Sequence, residues 1–298
     1  MKKDLLSIND LSRNEILALI DRAIEIKSQD RNANRSLQGY TLGLIFEKAS
    51  TRTRVSFEIA MFRLGGQTIF LNRSDTQMSR DENIHDTAKV LSRYIDALAI
   101  RTYSQDLLED MAEHSDIPII NALSDIYHPC QVLSDMVTVK EKKGSLNGIK
   151  IAWIGDGNNV AHSWIMAAQV LGFELVLACP KGSTPLPEIL DGSSGNIRVV
   201  DDPEEAAKGA AVINTDVWAS MGQEAEEEQR LADFRAYQVD SKLVKLAEPD
   251  VIVMHCLPAH RGEEITSEVL DGPNSVVFDQ AENKLHLHQA LLEKIIAG

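Results

Sequence analysis

From position 50 the chain reads STRTR, three hydroxyls and two guanidiniums at what the surrounding pattern marks as the start of a helix. Ser50 suits an N-cap, and the first amides of a helix point outward with no partner inside it. That end carries partial positive charge and suits a phosphate-like anion. Arg52, next to the terminus, can add a forked, charge-assisted hydrogen bond. Residues two apart point to different sides of a helix, so Arg54 is expected to pair with Glu58, four residues on, rather than share the anion.

A second set of groups suits a carbonyl. Arg101 follows the apolar run ALAI (97–100), and HPCQ (128–131) carries His128 and Gln131. Donors at His128 and Gln131 and a cation at Arg101 would together grip a carbonyl and its amide. Cys256 stands beside His255, but adjacent residues at a strand end face opposite ways. A nucleophilic dyad is therefore not expected, and Cys256 reads as a polarisable, partly buried contact to a ligand. His255, Cys256 and His260 lack a zinc spacing and no HExxH is present. His286 and His288 are expected at the surface, on opposite sides of the last helix. IGDGNNV begins like a dinucleotide fingerprint, but Val160 occupies the place of the third glycine, and no GxxxxGK[ST] loop occurs.

These residues need elements to position them. Short apolar runs at 42–46, 67–71, 97–100, 118–121, 150–155, 175–179, 211–214, 250–255 and 275–278 read as strands, with amphipathic stretches between most of them. A first helix over 12–27 opens with a capping box, Ser12 and Glu15. Such alternation predicts an α/β protein with parallel sheets. The polar residues fall just past the carboxyl ends of the strands, where open α/β sheets bind ligands. A polar break at KEKKGSLNG (140–148) divides the chain. The expectation is two doubly wound domains, 1–140 with a returning C-terminal helix (281–298) and 141–280, with the site in the cleft between them. EAEEEQ (224–229) reads as a solvated helix face or loop.

Composition narrows the partners. The 298 residues carry a net charge of −15, which argues against nucleic acid or an anionic membrane surface and makes the local arginines more telling. No apolar run reaches the roughly 18 residues a membrane span needs. The N-terminal MKKDLLSIND lacks the apolar stretch of a signal peptide. Three widely spaced cysteines, Cys130, Cys179 and Cys256, point to a reducing cytoplasm rather than a disulfide framework.

STRTR with SFE, HPCQ, DVWASMG and HCLP, in this order, resemble the ornithine carbamoyltransferases, and the resemblance runs over essentially the whole chain. STRTR alone marks the wider family that includes the aspartate enzymes; SMG and HCLP narrow it. The resemblance implies that Ser50, Thr51, Arg52 and Thr53 hold the phosphate of carbamoyl phosphate, with Gln77 reaching the ligand from a loop, in related enzymes from a neighbouring subunit. It implies that Arg101 bridges phosphate and carbonyl, His128 polarises the carbonyl oxygen and Gln131 binds the carbamoyl amide. Asn159 and Asp216 would take the α-carboxylate and α-amino group of ornithine, under a closing loop with Ser220 and Met221. Cys256 and the Leu257 carbonyl would lie near the δ-amine and the reacting carbon. No metal or organic cofactor and a homotrimer are implied. Two positions depart from the pattern: Asp81 replaces a glycine in QMSRDE (77–82), and Lys284 replaces an arginine that contacts carbamoyl phosphate. The competing readings are another amine substrate (putrescine, N-acetylornithine or aspartate), a non-catalytic anion-binding relative, and an oxidoreductase resting on GDGNN alone.

Overall fold

In a parallel sheet covered on both faces, strands read as near-continuous apolar runs rather than alternating ones. TLGLIF is such a run, and it forms β1 (Thr41–Phe46) with every residue buried. The computed structural model describes residues 3–30, 34–72, 82–193, 195–218 and 227–298. These form two compact units: Met1–Val137 with Glu282–Gly298, and Thr138–Ala281.

The first unit is built from α1 (Arg13–Ser28), β1, α2 (Thr51–Arg63), β2 (Gln67–Asn72), α3 (Ile84–Leu91), β3 (Ala97–Arg101), α4 (Gln105–His114), β4 (Ile119–Leu123) and the start of α5 (Pro129–Lys143). Its strands pair in parallel in the order β2-β1-β3-β4. The chain starts at β1, steps outward to β2, then crosses back to β3 on the other side. The loops after β1 and β3 therefore leave in opposite directions and open a crevice, the switch point at which such sheets bind ligands. α1 opens with the expected capping box, Ser12 to Glu15. Beyond the second unit's last strand the chain re-enters the first unit within the final long helix, α12 (Val277–Leu292). Arg22 of α1 holds Glu293 at 2.9 Å, and Lys27 donates to Asn283 at 2.9 Å.

The second unit runs β5 (Lys150–Ile154), α6 (Asn159–Leu171), β6 (Glu174–Ala178), α7 (Pro187–Leu190), β7 (Ile197–Val200), α8 (Pro203–Ala207), β8 (Val212–Thr215), α9 (Glu227–Phe234), α10 (Ser241–Val244), β9 (Ile252–His255), α11 (Ser267–Leu270) and the start of α12. All pairs are parallel, in the order β7-β6-β5-β8-β9. The switch point here lies between β5 and β8. Its core gathers Ile154, Val176, Ile213 and Val253 with residues of the surrounding helices.

The sequence reading differs from the structure at three places outside the site. SVVF (275–278) is not a strand: Ser275 makes a single bridge to Val253 and the chain then enters α12. β7 was not expected. His286 and His288 are buried rather than exposed, because α12 is covered on nearly every side over 283–292. Of the run at 224–229, 227–229 lie in α9 and 224–226 lie outside the described residues.

Candidate active site

In the first unit, the loop after β1 leads directly into α2. Ser50 occupies the N-cap, in extended conformation, yet its hydroxyl makes no capping hydrogen bond. The cap residue thus leaves the first turn's donors unclaimed by its own side chain. Thr51 and Arg52 are exposed and Thr53 is buried. Arg54 turns away, pairing with Glu58 at 2.9 Å and lying 3.6 Å over the Phe70 ring.

Arg101 ends β3 beside Phe46 of β1, at a register shift between Ile100 and Arg101. Such an irregularity re-aims a side chain at the end of a strand. The Glu47 amide donates to the Arg101 carbonyl at 2.8 Å, and the Thr102 hydroxyl donates to Glu47 Oε2 at 2.5 Å. Both crevice loops are therefore braced to each other. Lys48, which the sequence reading passed over, is buried at the same strand end, paired with Asp125 and 4.1 Å above the Tyr103 ring.

His128 stands just before α5 and accepts the Gln131 and Val132 amides on its carbonyl. Its side chain is buried, and its pKa lies well below the usual histidine value, first because of burial and then through the cations Lys284 and Arg101. His128 is consequently a neutral imidazole at pH 7. Gln131 donates its amide nitrogen to Asp135 at 2.7 Å. An amide nitrogen carries two N–H groups, so this bond orients the Gln131 carboxamide and leaves it one further donor besides its carbonyl acceptor. Lys284, on α12, is buried and its charge acts on His128, Cys130 and His288 alike. The Cys130 thiol is pushed up to about 12 by burial and is inert.

In the second unit, the loop Gly155–Asn158 follows β5. Gly157 is required, since a Cβ there would lie 2.2 Å from the Pro185 nitrogen. Gly155 has φ +132°, a conformation open to glycine. Backbone geometry thus accounts for the dinucleotide-like pattern. Asn158 caps α6, accepting the Val160 and Ala161 amides at 2.9 and 3.1 Å. Its Nδ2 donates to Asp216 Oδ2 at 3.0 Å. Asn158 is the residue the sequence reading missed; its place at an N-cap was the available signal. Asn159, expected to take the α-carboxylate, is the first residue of α6.

Asp216, past β8, is buried and accepts the Val217 amide and the Cys256 thiol on Oδ1, each at 2.9 Å. Cys256 thus faces Asp216. His255 is engaged elsewhere: its Nε2 lies 2.9 Å from Glu264 Oε1, and its Nδ1 accepts the Leu257 amide at 2.9 Å. Because Nδ1 accepts, the proton sits on Nε2 and is donated to Glu264. Leu257 has φ +57°, a strained conformation for leucine, and the bond to Pro258 is cis. The buried His255–Glu264 pair, with the His260 amide on Glu264 Oε1 at 2.6 Å, braces this turn. Nearby, Asp156 pairs with Arg230 at 2.7 Å, and burial raises its pKa to about 6.

Among the described residues, two groups bring possible metal-ligand atoms within 4.8 Å: Asp216, His255 and Cys256; and His260, Glu263 and Glu264. In the first, both His255 nitrogens are already committed. In the second, His260 is exposed and Glu263 half-buried. The structure thus gathers Ser50, Thr51, Arg52, Thr53, Arg101, His128, Gln131 and Lys284 in one unit, and Asn159, Asp216, Cys256 and Leu257 in the other. Gln77, Asp81, Ser220 and Met221 lie outside the described residues.

Known proteins resemble this chain over its full length. The family model for the aspartate/ornithine carbamoyltransferase carbamoyl-P binding domain matches residues 3–141, and that for the Asp/Orn binding domain matches 147–295. An ornithine carbamoyltransferase of Desulfotalea psychrophila is 52% identical over 302 residues, covering 99% of this chain and 100% of the relative. One from Methanoculleus marisnigri is 50% identical, covering 100% and 98%. The solved ornithine carbamoyltransferase of Pyrococcus furiosus superposes with a TM-score of 0.96 at 49% identity, covering 100% of this chain and 98% of that one. Two domain models that take in nearly every residue, and relatives alike from end to end, place this chain in the aspartate/ornithine carbamoyltransferase family.

Proposed function

We infer that the chain transfers the carbamoyl group of carbamoyl phosphate to the δ-amine of L-ornithine, giving L-citrulline and phosphate. The observation that carries this reading is the full-length likeness to ornithine carbamoyltransferases at about half identity. The residue roles that follow are our own assignment.

In the first unit, the open amides and hydroxyls at Ser50, Thr51 and Thr53, with the Arg52 guanidinium, take the phosphate. Arg101 spans phosphate and carbonyl oxygen. Neutral His128 donates a hydrogen bond to that oxygen, which gains negative charge as the amine adds. Gln131, its orientation set by Asp135, accepts from the carbamoyl amide. Lys284 supplies the remaining positive charge. Gln77 belongs to this set by resemblance.

In the second unit, Asp216 takes the α-amino group of ornithine, steadied by Asn158 and Cys256. Asn159 takes the α-carboxylate, Ser220 and Met221 close over the substrate, and Cys256 with the Leu257 carbonyl borders the δ-amine. The neutral amine attacks carbon, a C–N bond forms, the C–O bond to phosphate breaks, and the amine releases one proton. An amine of lysine-like pKa, about 10.4, requires roughly three units of deprotonation at neutral pH, costing about 4 kcal/mol. Alignment of both substrates supplies much of the remaining rate.

We further propose a cytoplasmic homotrimer working in arginine biosynthesis. The apolar stripe Val55, Ile59 and Phe62 on α2, exposed in the single chain, supports association of like chains. Light scattering of the purified protein tests that assembly. The function itself is tested by product formation from carbamoyl phosphate with ornithine, putrescine, N-acetylornithine or aspartate at pH 7 to 9. Citrulline from ornithine, with little product from the others, is expected; preference for another amine would overturn the reading.

A further inference from the structure

The interior of the first unit holds a polar relay that neither the fold nor the assigned contacts require. Ser56, one turn into α2, donates its hydroxyl proton to the Thr53 carbonyl at 3.0 Å. The same oxygen lies 2.9 Å from Nδ1 of His288, on α12. A serine hydroxyl has a single proton. The tautomer with the proton on His288 Nδ1 satisfies both contacts at once; the other leaves one of them without a proton. His288 is fully buried, its ring stacks on Phe57 at 3.7 Å and 10°, and its Nε2 has no hydrogen-bond partner among the described residues. Burial, and secondarily the Lys284 charge, keep the imidazole neutral.

A leucine or phenylalanine would fill such a site without leaving a ring nitrogen unsatisfied, a cost a purely packing role does not explain. The location supplies the explanation. The first turn of α2 carries Thr51, Arg52 and Thr53. Lys284 precedes His288 by four residues, so both project from one face of α12. His288 therefore joins the two elements that supply positive charge to the anion.

We propose that His288 is a positioning residue for carbamoyl phosphate, holding the first turn of α2 through Ser56 in register with Lys284 on α12. The Nδ1–H fixes the Ser56 hydroxyl, which fixes the Thr53 carbonyl and with it the turn that presents the phosphate-binding donors. In this tautomer Nε2 carries a lone pair rather than a proton, and the charge felt by the ring is that of Lys284. This role rests on the assignment of the phosphate to α2.

The test uses Ser56→Ala, His288→Phe, their double variant and His288→Asn. KM for carbamoyl phosphate and for ornithine, kcat, thermal midpoint, and the Kd for inorganic phosphate by titration calorimetry are measured on each. Ser56→Ala and His288→Phe should each raise the carbamoyl phosphate KM and the phosphate Kd about fivefold, the effect of one neutral hydrogen bond. The ornithine KM should stay within about twofold, and the double variant should be no worse than the poorer single, since both break one relay. His288→Asn, whose amide donates from near the Nδ1 position, should recover most of the loss. Folded single variants with unchanged phosphate affinity, or losses that multiply in the double variant, would overturn the proposal. Phosphate affinity reads the anion site whether or not citrulline forms, so a wild-type protein inactive with every amine would defeat the functional reading and leave this test standing.

Discussion

Replacing His128 by leucine removes one hydrogen-bond donor from the carbonyl oxygen without stranding a charge, because the imidazole is neutral in its buried setting. Removing one such donor typically costs about 10²–10³ in kcat. The lower end applies here, since Arg101 remains to share the developing charge. At 1.36 kcal/mol per tenfold, a hundredfold loss is about 2.7 kcal/mol of transition-state stabilisation. His128→Gln keeps a donor on a flexible stem and should lose about tenfold. The pH profile carries a second, independent expectation. With Lys284 and Arg101 beside it, His128 takes up no proton near neutrality, so the wild-type rate should rise about tenfold per unit from pH 6 to 8 when chemistry limits, following the amine alone. The assay is initial citrulline formation at saturating substrates over that range. A wild-type inflection near pH 6.5 that vanishes in His128→Gln would refute the argument, as would a loss under about fivefold in His128→Leu.

Three other outcomes follow from the same geometry. His128 and His288 both have pKa values well below the 6.5 of the unfolded chain, so the native state binds fewer protons and stability falls as pH drops through 6.5, by up to about 2.7 kcal/mol per unit for the two. Asp156, raised to about 6, binds an extra native proton between its unfolded value and that point and offsets one histidine there. Urea midpoints that hold steady or rise from pH 7 to 5 would contradict this balance. Asn158→Ala deprives Asp216 of its 3.0 Å donor and α6 of its cap, and should raise the ornithine KM about tenfold with little change for carbamoyl phosphate; equal changes in both KM values would mean the unit as a whole had been disturbed. Lys284→Met keeps length but not charge, and should raise the carbamoyl phosphate KM at least about tenfold; an unchanged KM would remove Lys284 from the site.

Strand positions were legible because buried parallel strands are near-continuous apolar runs, as in β1, β5 and β6 after their first residue. SVVF shows the limit of that signal: Val276 and Val277 are as buried as strand residues, but they lead into a helix, and a four-residue apolar run has no period to tell the two apart. β7 escaped notice for the opposite reason. It is an edge strand with Arg198 exposed at its centre, and edges tolerate charge. At the candidate site, residue types were readable while orientations were not. Nothing local says that Gln131 donates to Asp135, four residues along the same helix, or that Asn158 donates to Asp216. His288 looked like a surface residue because polarity is a local clue, whereas its burial depends on α2, more than two hundred residues earlier in the chain.

The first unit closes only when the last helix arrives, since its residues 1–137 and 282–298 are separated by the whole of the second unit. A ribosome adding about 5–20 residues per second releases Lys284 roughly 7–30 s after Val137. During that interval the nascent first unit carries STRTR, Arg101 and His128 but has neither Lys284 nor His288. On the phosphate assignment proposed above, the anion site is complete only once Lys284 has been made, and a chain cut short anywhere in the second unit lacks both Lys284 and His288.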